Sequence, residues 1–121
     1  MSKKVEAMLF FAASRQYVAQ TCFRPLADVY RSSDGWVVKF ELPGVRREDV
    51  QVVIHGCRLV VSGIRRDWVL DQGCSCHSME IPYGRFERAI ELPCDLKPSR
   101  FQLEFRDGLL LVRMTTEGET R

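Results

Sequence analysis

From Trp36 onward, apolar and polar positions alternate with a period of two. Trp36, Val38, Phe40 and Leu42 fall on one side of the run, and Val37, Lys39 and Glu41 on the other. That period belongs to a strand with one buried face. Pro43-Gly44 stops it. Val50, Val52 and Ile54 alternate next, His55-Gly56 supplies a turn, and Leu59 and Val61 continue beyond it until Gly63, so the pattern predicts a hairpin. Phe86, Arg88, Ile90 and Leu92 form a further alternating set, closed by Pro93. Phe101, Leu103 and Phe105 follow, then the turn pair Asp107-Gly108, then Leu110, Val112 and Met114. With a strand over 26–30, about seven short strands are predicted and no convincing helical period interrupts them. Strands at this spacing point to an antiparallel sandwich or barrel.

Two stretches depart from the pattern. In residues 1–24, Val5, Met8, Leu9 and Ala12 recur at helical spacing, and Phe10 and Phe11 widen that face. This is read as an N-terminal arm, helical and uncleaved rather than a leader, because its apolar run is short and Arg15 follows at once. The arm either packs on its own body or contacts partners. The second departure is Arg65 to Gly84, which is long for a hairpin loop and so expected to be functional or to carry structure of its own. Trp68, Val69 and Leu70 within it are expected to form a short extra strand, able to pair with another subunit's edge. The resulting organisation is an arm over 1–24, a β-sandwich over 25–114 and a short polar tail over 115–121.

Composition narrows the function. The 121 residues suit one domain. A net charge of +2, with the arginines scattered, argues against nucleic acid as a partner. No apolar run approaches the ~20 residues of a membrane-spanning helix, so no membrane partner is expected. Five cysteines, Cys22, Cys57, Cys74, Cys76 and Cys94, make an odd number and argue for reduced thiols and a cytoplasmic location. No phosphate-binding loop, dinucleotide glycine pattern or nucleophile elbow occurs, so no catalytic residue and no cofactor is assigned. His55 is read as a solvated turn residue. Cys74, Cys76 and His77 are the one local cluster of metal-ligating or oxidisable type, with Cys57 and Cys94 as candidates to complete a site. They are read as ordinary loop residues and no metal is assigned.

Several segments resemble the small heat-shock protein family, in its bacterial type, whose shared unit is the α-crystallin domain. The likeness covers residues 24–114. Ala27-Asp28-Val29-Tyr30 is similar to the family's first domain strand. Val37 to Val45, with Leu42-Pro43-Gly44-Val45 and the charged turn Arg46 to Asp49 after it, resembles its Leu-Pro-Gly-Val signature. Leu59-Val60-Val61-Ser62-Gly63, Tyr83-Gly84-Arg85-Phe86-Glu87-Arg88 and Asp107-Gly108-Leu109-Leu110 resemble three further motifs. Each is weak alone; five in the right order and spacing are specific.

The resemblance implies an all-β, immunoglobulin-like sandwich and an ATP-independent chaperone that binds partly unfolded client proteins and is not an enzyme. Client binding is assigned to the arm, through Met8, Leu9, Phe10, Phe11 and Phe23, and to a groove between sheet edges. The resemblance further implies a homodimer, and higher or mixed small heat-shock oligomers. The dimer interface is assigned to Trp68, Val69 and Leu70 in the excursion, whose counterpart in relatives carries a strand that swaps onto the partner's sheet, and to Arg88; a structural ion pair is the plainer reading of Arg88. Two departures stand out. The tail lacks the Ile-x-Ile type of motif by which many members latch onto a neighbour's groove, so assembly by that latch is not expected. Cys76-His77-Ser78 stands where relatives often show an aromatic-His-Arg. The competing readings are an adaptor sandwich that binds one folded partner, and a thiol or metal sensor using Cys74, Cys76 and His77.

Overall fold

The computed structural model describes residues 22–93 and 98–116. The arm residues Met8, Leu9, Phe10 and Phe11, together with Cys94 and the end of the tail, lie outside the described residues. The described residues form seven strands: β1 (Ala27–Ser32), β2 (Gly35–Glu41), β3 (Val50–His55), β4 (Arg58–Arg65), β5 (Gly84–Glu91), β6 (Arg100–Arg106) and β7 (Leu109–Thr115). A 3-10 turn over Arg47–Asp49 precedes β3, and a single helical turn, α1 (Trp68–Asp71), lies between β4 and β5. All pairings are antiparallel. One sheet has the order β1-β2-β7-β6 and the other β3-β4-β5, and the two stack as the all-β sandwich that the alternation predicts.

Register follows from that alternation. Phe40 stands opposite Leu110 and Val38 opposite Val112 across β2 and β7. Val61 stands opposite Val52 on one side and Arg88 on the other. Directly opposed residues share a face, so Trp36, Val38, Phe40, Leu42, Leu110, Val112 and Met114 line the inside of one sheet and meet Leu59, Val61 and Phe86 from the other. Val38, Phe40, Leu42, Leu59, Val61, Val112 and Met114 are completely covered. The central strands β2, β7 and β4 therefore carry the core, and the edge strands are covered only in part.

The turns explain the hairpins. Asp107 and Gly108 both have positive φ, 54° and 78°, so the β6–β7 connection is a tight turn whose twist matches the strands it joins. Gly56, at φ 63°, does the same between β3 and β4.

Three expectations change. Gly63 does not end its strand; β4 runs on to Arg65, and Gly63 sits inside it opposite Phe86. Trp68, Val69 and Leu70 form no strand: they belong to α1, where the Asp67 carboxylate accepts hydrogen bonds from the backbone N–H groups of Val69 and Leu70. An aspartate one position ahead of an apolar triplet caps a helical turn, and among the described residues no strand pairs with it. Finally, Cys57 is disulfide-bonded, while Cys22, Cys74 and Cys76 are free. The expectation of uniformly reduced thiols fails at Cys57.

Candidate functional site

Among the described residues, two clusters of exposed apolar side chains border a cleft or cavity. The first is a cleft at the open edge of the sandwich. A sheet of four strands faces a sheet of three, so β6 has no strand fully opposite its inner face. Leu103 pairs with the buried Val112 and Phe101 with the buried Met114, which turns both side chains toward the inside. Yet Leu103 is 55% exposed and Phe101 48%. Between β6 and β3 lies a cleft of about 490 Å³, lined by Val50 and Val52 from one sheet, Leu103, Phe105 and Leu110 from the other, and Arg47 and Glu104 at its polar margin. Apolar side chains on an unfilled inner face are a surface built to be covered.

The second surface is the excursion between β4 and β5. Trp68, Val69 and Leu70 on α1 are 56%, 44% and 38% exposed, and Ile81 is half-exposed. A cavity of about 430 Å³ opens among Val69, Leu70, Cys74, Cys76, His77 and Ile81. Cys74 is exposed and Cys76 half-buried. Among the described residues no group of three or more His, Cys, Asp or Glu is placed to hold a metal ion, and the disulfide at Cys57 removes its thiolate as a ligand. No helix among the described residues is long and apolar enough to cross a membrane.

The excursion and the N-terminal segment are anchored by arginines. Arg65, the last residue of β4, places its guanidinium 4.5 Å from the centre of the Phe23 ring and 5.6 Å from that of Tyr83. Arg66 donates two hydrogen bonds to the Asp49 carboxylate, from Nε at 3.0 Å and Nη2 at 3.2 Å. That fork, with the charges of Arg66 and Arg46 behind it, holds the Asp49 carboxyl below its ordinary value against the opposing effect of desolvation. Arg88, half-buried on the inner face of β5, donates from Nη1 to the Pro25 carbonyl at 2.7 Å. Its partner is thus a backbone oxygen of the arm's root rather than the acidic side chain of the plainer reading.

The expected site residues are therefore dispersed. Phe23 is buried at 7% exposure and packs edge-on against Phe86, 5.3 Å between ring centres. Its ring therefore belongs to the core, unlike the exposed side chains of the cleft and the excursion. Trp68, Val69 and Leu70 are exposed together, while Arg88 lies with the arm's root. Pattern reading missed the cleft residues Leu103 and Phe105, the stacking of Arg65 and the fork of Arg66. The alternation of Phe101, Leu103 and Phe105 marks an inner face but not that the opposing sheet is one strand short.

Residues 28–120 match the model of the Hsp20/alpha crystallin family. This chain belongs to the Hsp20/alpha crystallin family. Among curated relatives it is 26% identical over 99 residues to small heat shock protein C2 of Rickettsia felis, an alignment covering 80% of this chain and 64% of that protein. It is 36% identical over 93 residues to heat shock protein 16 of Schizosaccharomyces pombe, covering 74% of this chain and 64% of that one. The chain thus spans less than two thirds of the length of these relatives. Among solved structures, heat shock protein 16.0 from Schizosaccharomyces pombe superposes with a TM-score of 0.69 at 30% identity, covering 82% of this chain and 92% of that one. The sandwich is the α-crystallin fold, and the cleft and the excursion are features of an Hsp20-family domain.

Proposed function

We propose that this chain is an ATP-independent chaperone that holds partly unfolded proteins and keeps them from aggregating, acting by binding and without covalent chemistry. The observation that carries this reading is the apolar cleft at the β3–β6 edge, with Leu103 exposed on its inner face. An unfolding client exposes apolar surface, and covering it gains roughly 25 cal/mol per Å² removed from water. Many shallow contacts of this kind need no nucleotide and select for exposed apolar surface rather than for one sequence. Membership of the Hsp20/alpha crystallin family supports the reading. Within it, Met8, Leu9, Phe10 and Phe11 of the arm add a second capturing surface, and the working unit is a homodimer that joins through the exposed Trp68, Val69 and Leu70, capable of higher and mixed assembly.

Leu103→Lys tests the cleft. The side chain is already half in water, so the fold should survive with little change in stability. Co-sedimentation of a heat-denatured client with the variant should fall severalfold against the unaltered chain. Equal co-sedimentation would remove the cleft from the capturing surface. Deleting residues 1–22 tests the arm separately, with the same readout.

A further inference from the structure

The N-terminal segment and the excursion meet at one side chain. Phe23 lies at the root of the arm, Arg65 is where the excursion leaves β4, and Tyr83 is where it returns to β5. These three are far apart in sequence, yet the Arg65 guanidinium sits over both rings, 4.5 Å from Phe23 and 5.6 Å from Tyr83. Phe23 is itself seated on Phe86, two residues into β5. The stack therefore runs Tyr83, Arg65, Phe23, Phe86, and closes the base of the excursion against the root of the arm.

We propose that this stack is a clasp that couples the two segments, so that withdrawing the arm's root loosens the excursion and freeing the excursion loosens the arm's root. Three observations carry it. Both rings share one cation, so losing either leaves the guanidinium with half its aromatic contact. Arg65 is half-buried, where such contacts are stronger than in open water. And the excursion has few other ties to the body: its apolar residues Trp68, Val69, Leu70 and Ile81 are exposed, so local opening is governed by its two ends. Two further anchors serve one segment each, Arg66 to Asp49 for the excursion and Arg88 to the Pro25 carbonyl for the arm's root. The functional consequence rests on the holdase reading: an arm drawn onto a client would release the surface assigned to subunit contact, joining capture to subunit exchange. The coupling itself does not rest on it and is read in the chain alone.

Amide hydrogen exchange on the full chain, without client, tests the clasp. Phe23→Leu keeps an apolar side chain but removes the ring; it is expected to speed exchange across 66–83 by about two- to fivefold, the range one such contact supports. Tyr83→Leu should speed exchange across 22–26 by a similar factor, the same coupling seen from the other end. Arg65→Met should do both, and Arg65→Lys, which retains a cation, should restore part of the protection. In each variant the amides of Leu59 to Val61 should stay as protected as in the unaltered chain. Acceleration confined to the substituted segment would overturn the proposal. So would a uniform rise that includes Leu59 to Val61, since that marks a damaged core. Tyr83 is half-buried, so its variant keeps the test open if Phe23→Leu fails to fold.

Discussion

A methyl group at Gly63 has nowhere to go. Its Cβ would lie 2.1 Å from the Asp49 carbonyl oxygen and 2.9 Å from the Phe86 ring. The nearest atom is backbone, which cannot swing aside, so Gly63→Ala is expected to cost at least about 1–3 kcal/mol by overpacking. A lowered midpoint in urea would show it, and an unchanged midpoint would mean that β4 and the turn before β3 are less closely apposed. Arg88 offers the opposite case, a contact removed. Arg88→Met withdraws the charged donor from the Pro25 carbonyl and is expected to cost ~1.5–3 kcal/mol in the same assay. The Arg66–Asp49 fork adds a pH dependence. Because the Asp49 carboxyl is held below its ordinary value, its contribution is complete above the range of an unfolded carboxylate, about 4. It is lost as pH falls through the depressed native value. Arg66→Gln should therefore melt below the unaltered chain at neutral pH, and the two curves should converge in acid. A gap that stayed constant to low pH would assign the loss to something other than this carboxylate. None of these residue-level roles was legible in the sequence. A glycine after Ser62 reads as a strand end, and nothing in the sequence marks Arg66 as the partner of Asp49, until the neighbours from other elements are known.

At the scale of the elements the sequence says more. The alternation in 36–42, 50–54, 86–92 and 110–114 shows in outline which residues are strands and which face is buried, because a period of two has only two faces and one of them is apolar at every position but Arg88. Where it fails, the reason is competition between local and distant partners. Trp68, Val69 and Leu70 are good strand residues, but a strand needs a neighbour, and within one chain the Asp67 cap decides in favour of a helical turn. Asp67→Ala should undo that cap, costing α1 about 1 kcal/mol of local stability and raising the exchange rates of the Val69 and Leu70 amides. Unaltered rates would show that the turn is held by something other than its cap. The edge strands teach the complementary lesson. Phe101 and Leu103 have the same alternating pattern as the buried residues of β7, and only the mismatch of four strands against three leaves them exposed. The cysteines also resolve at this scale: alkylation of the unfolded chain without reductant should modify Cys22, Cys74 and Cys76 and spare Cys57. Labelling of Cys57 under those conditions would contradict its disulfide.

For the whole molecule, the fold was readable because five short segments occur in the order and spacing of the α-crystallin domain. The surface was not, because binding by exposed apolar area leaves no motif comparable to a catalytic triad. The sandwich stays unfinished in three places: a cleft at one edge, an apolar excursion, and between excursion and arm a clasp built on Arg65. An account in which these surfaces hold unfolding proteins is tested most directly by light scattering of a heat-labile enzyme, warmed with and without this chain in the absence of any nucleotide. The account predicts that scattering is suppressed at near-stoichiometric ratios, for several unrelated enzymes alike. Unchanged scattering for all of them would contradict it.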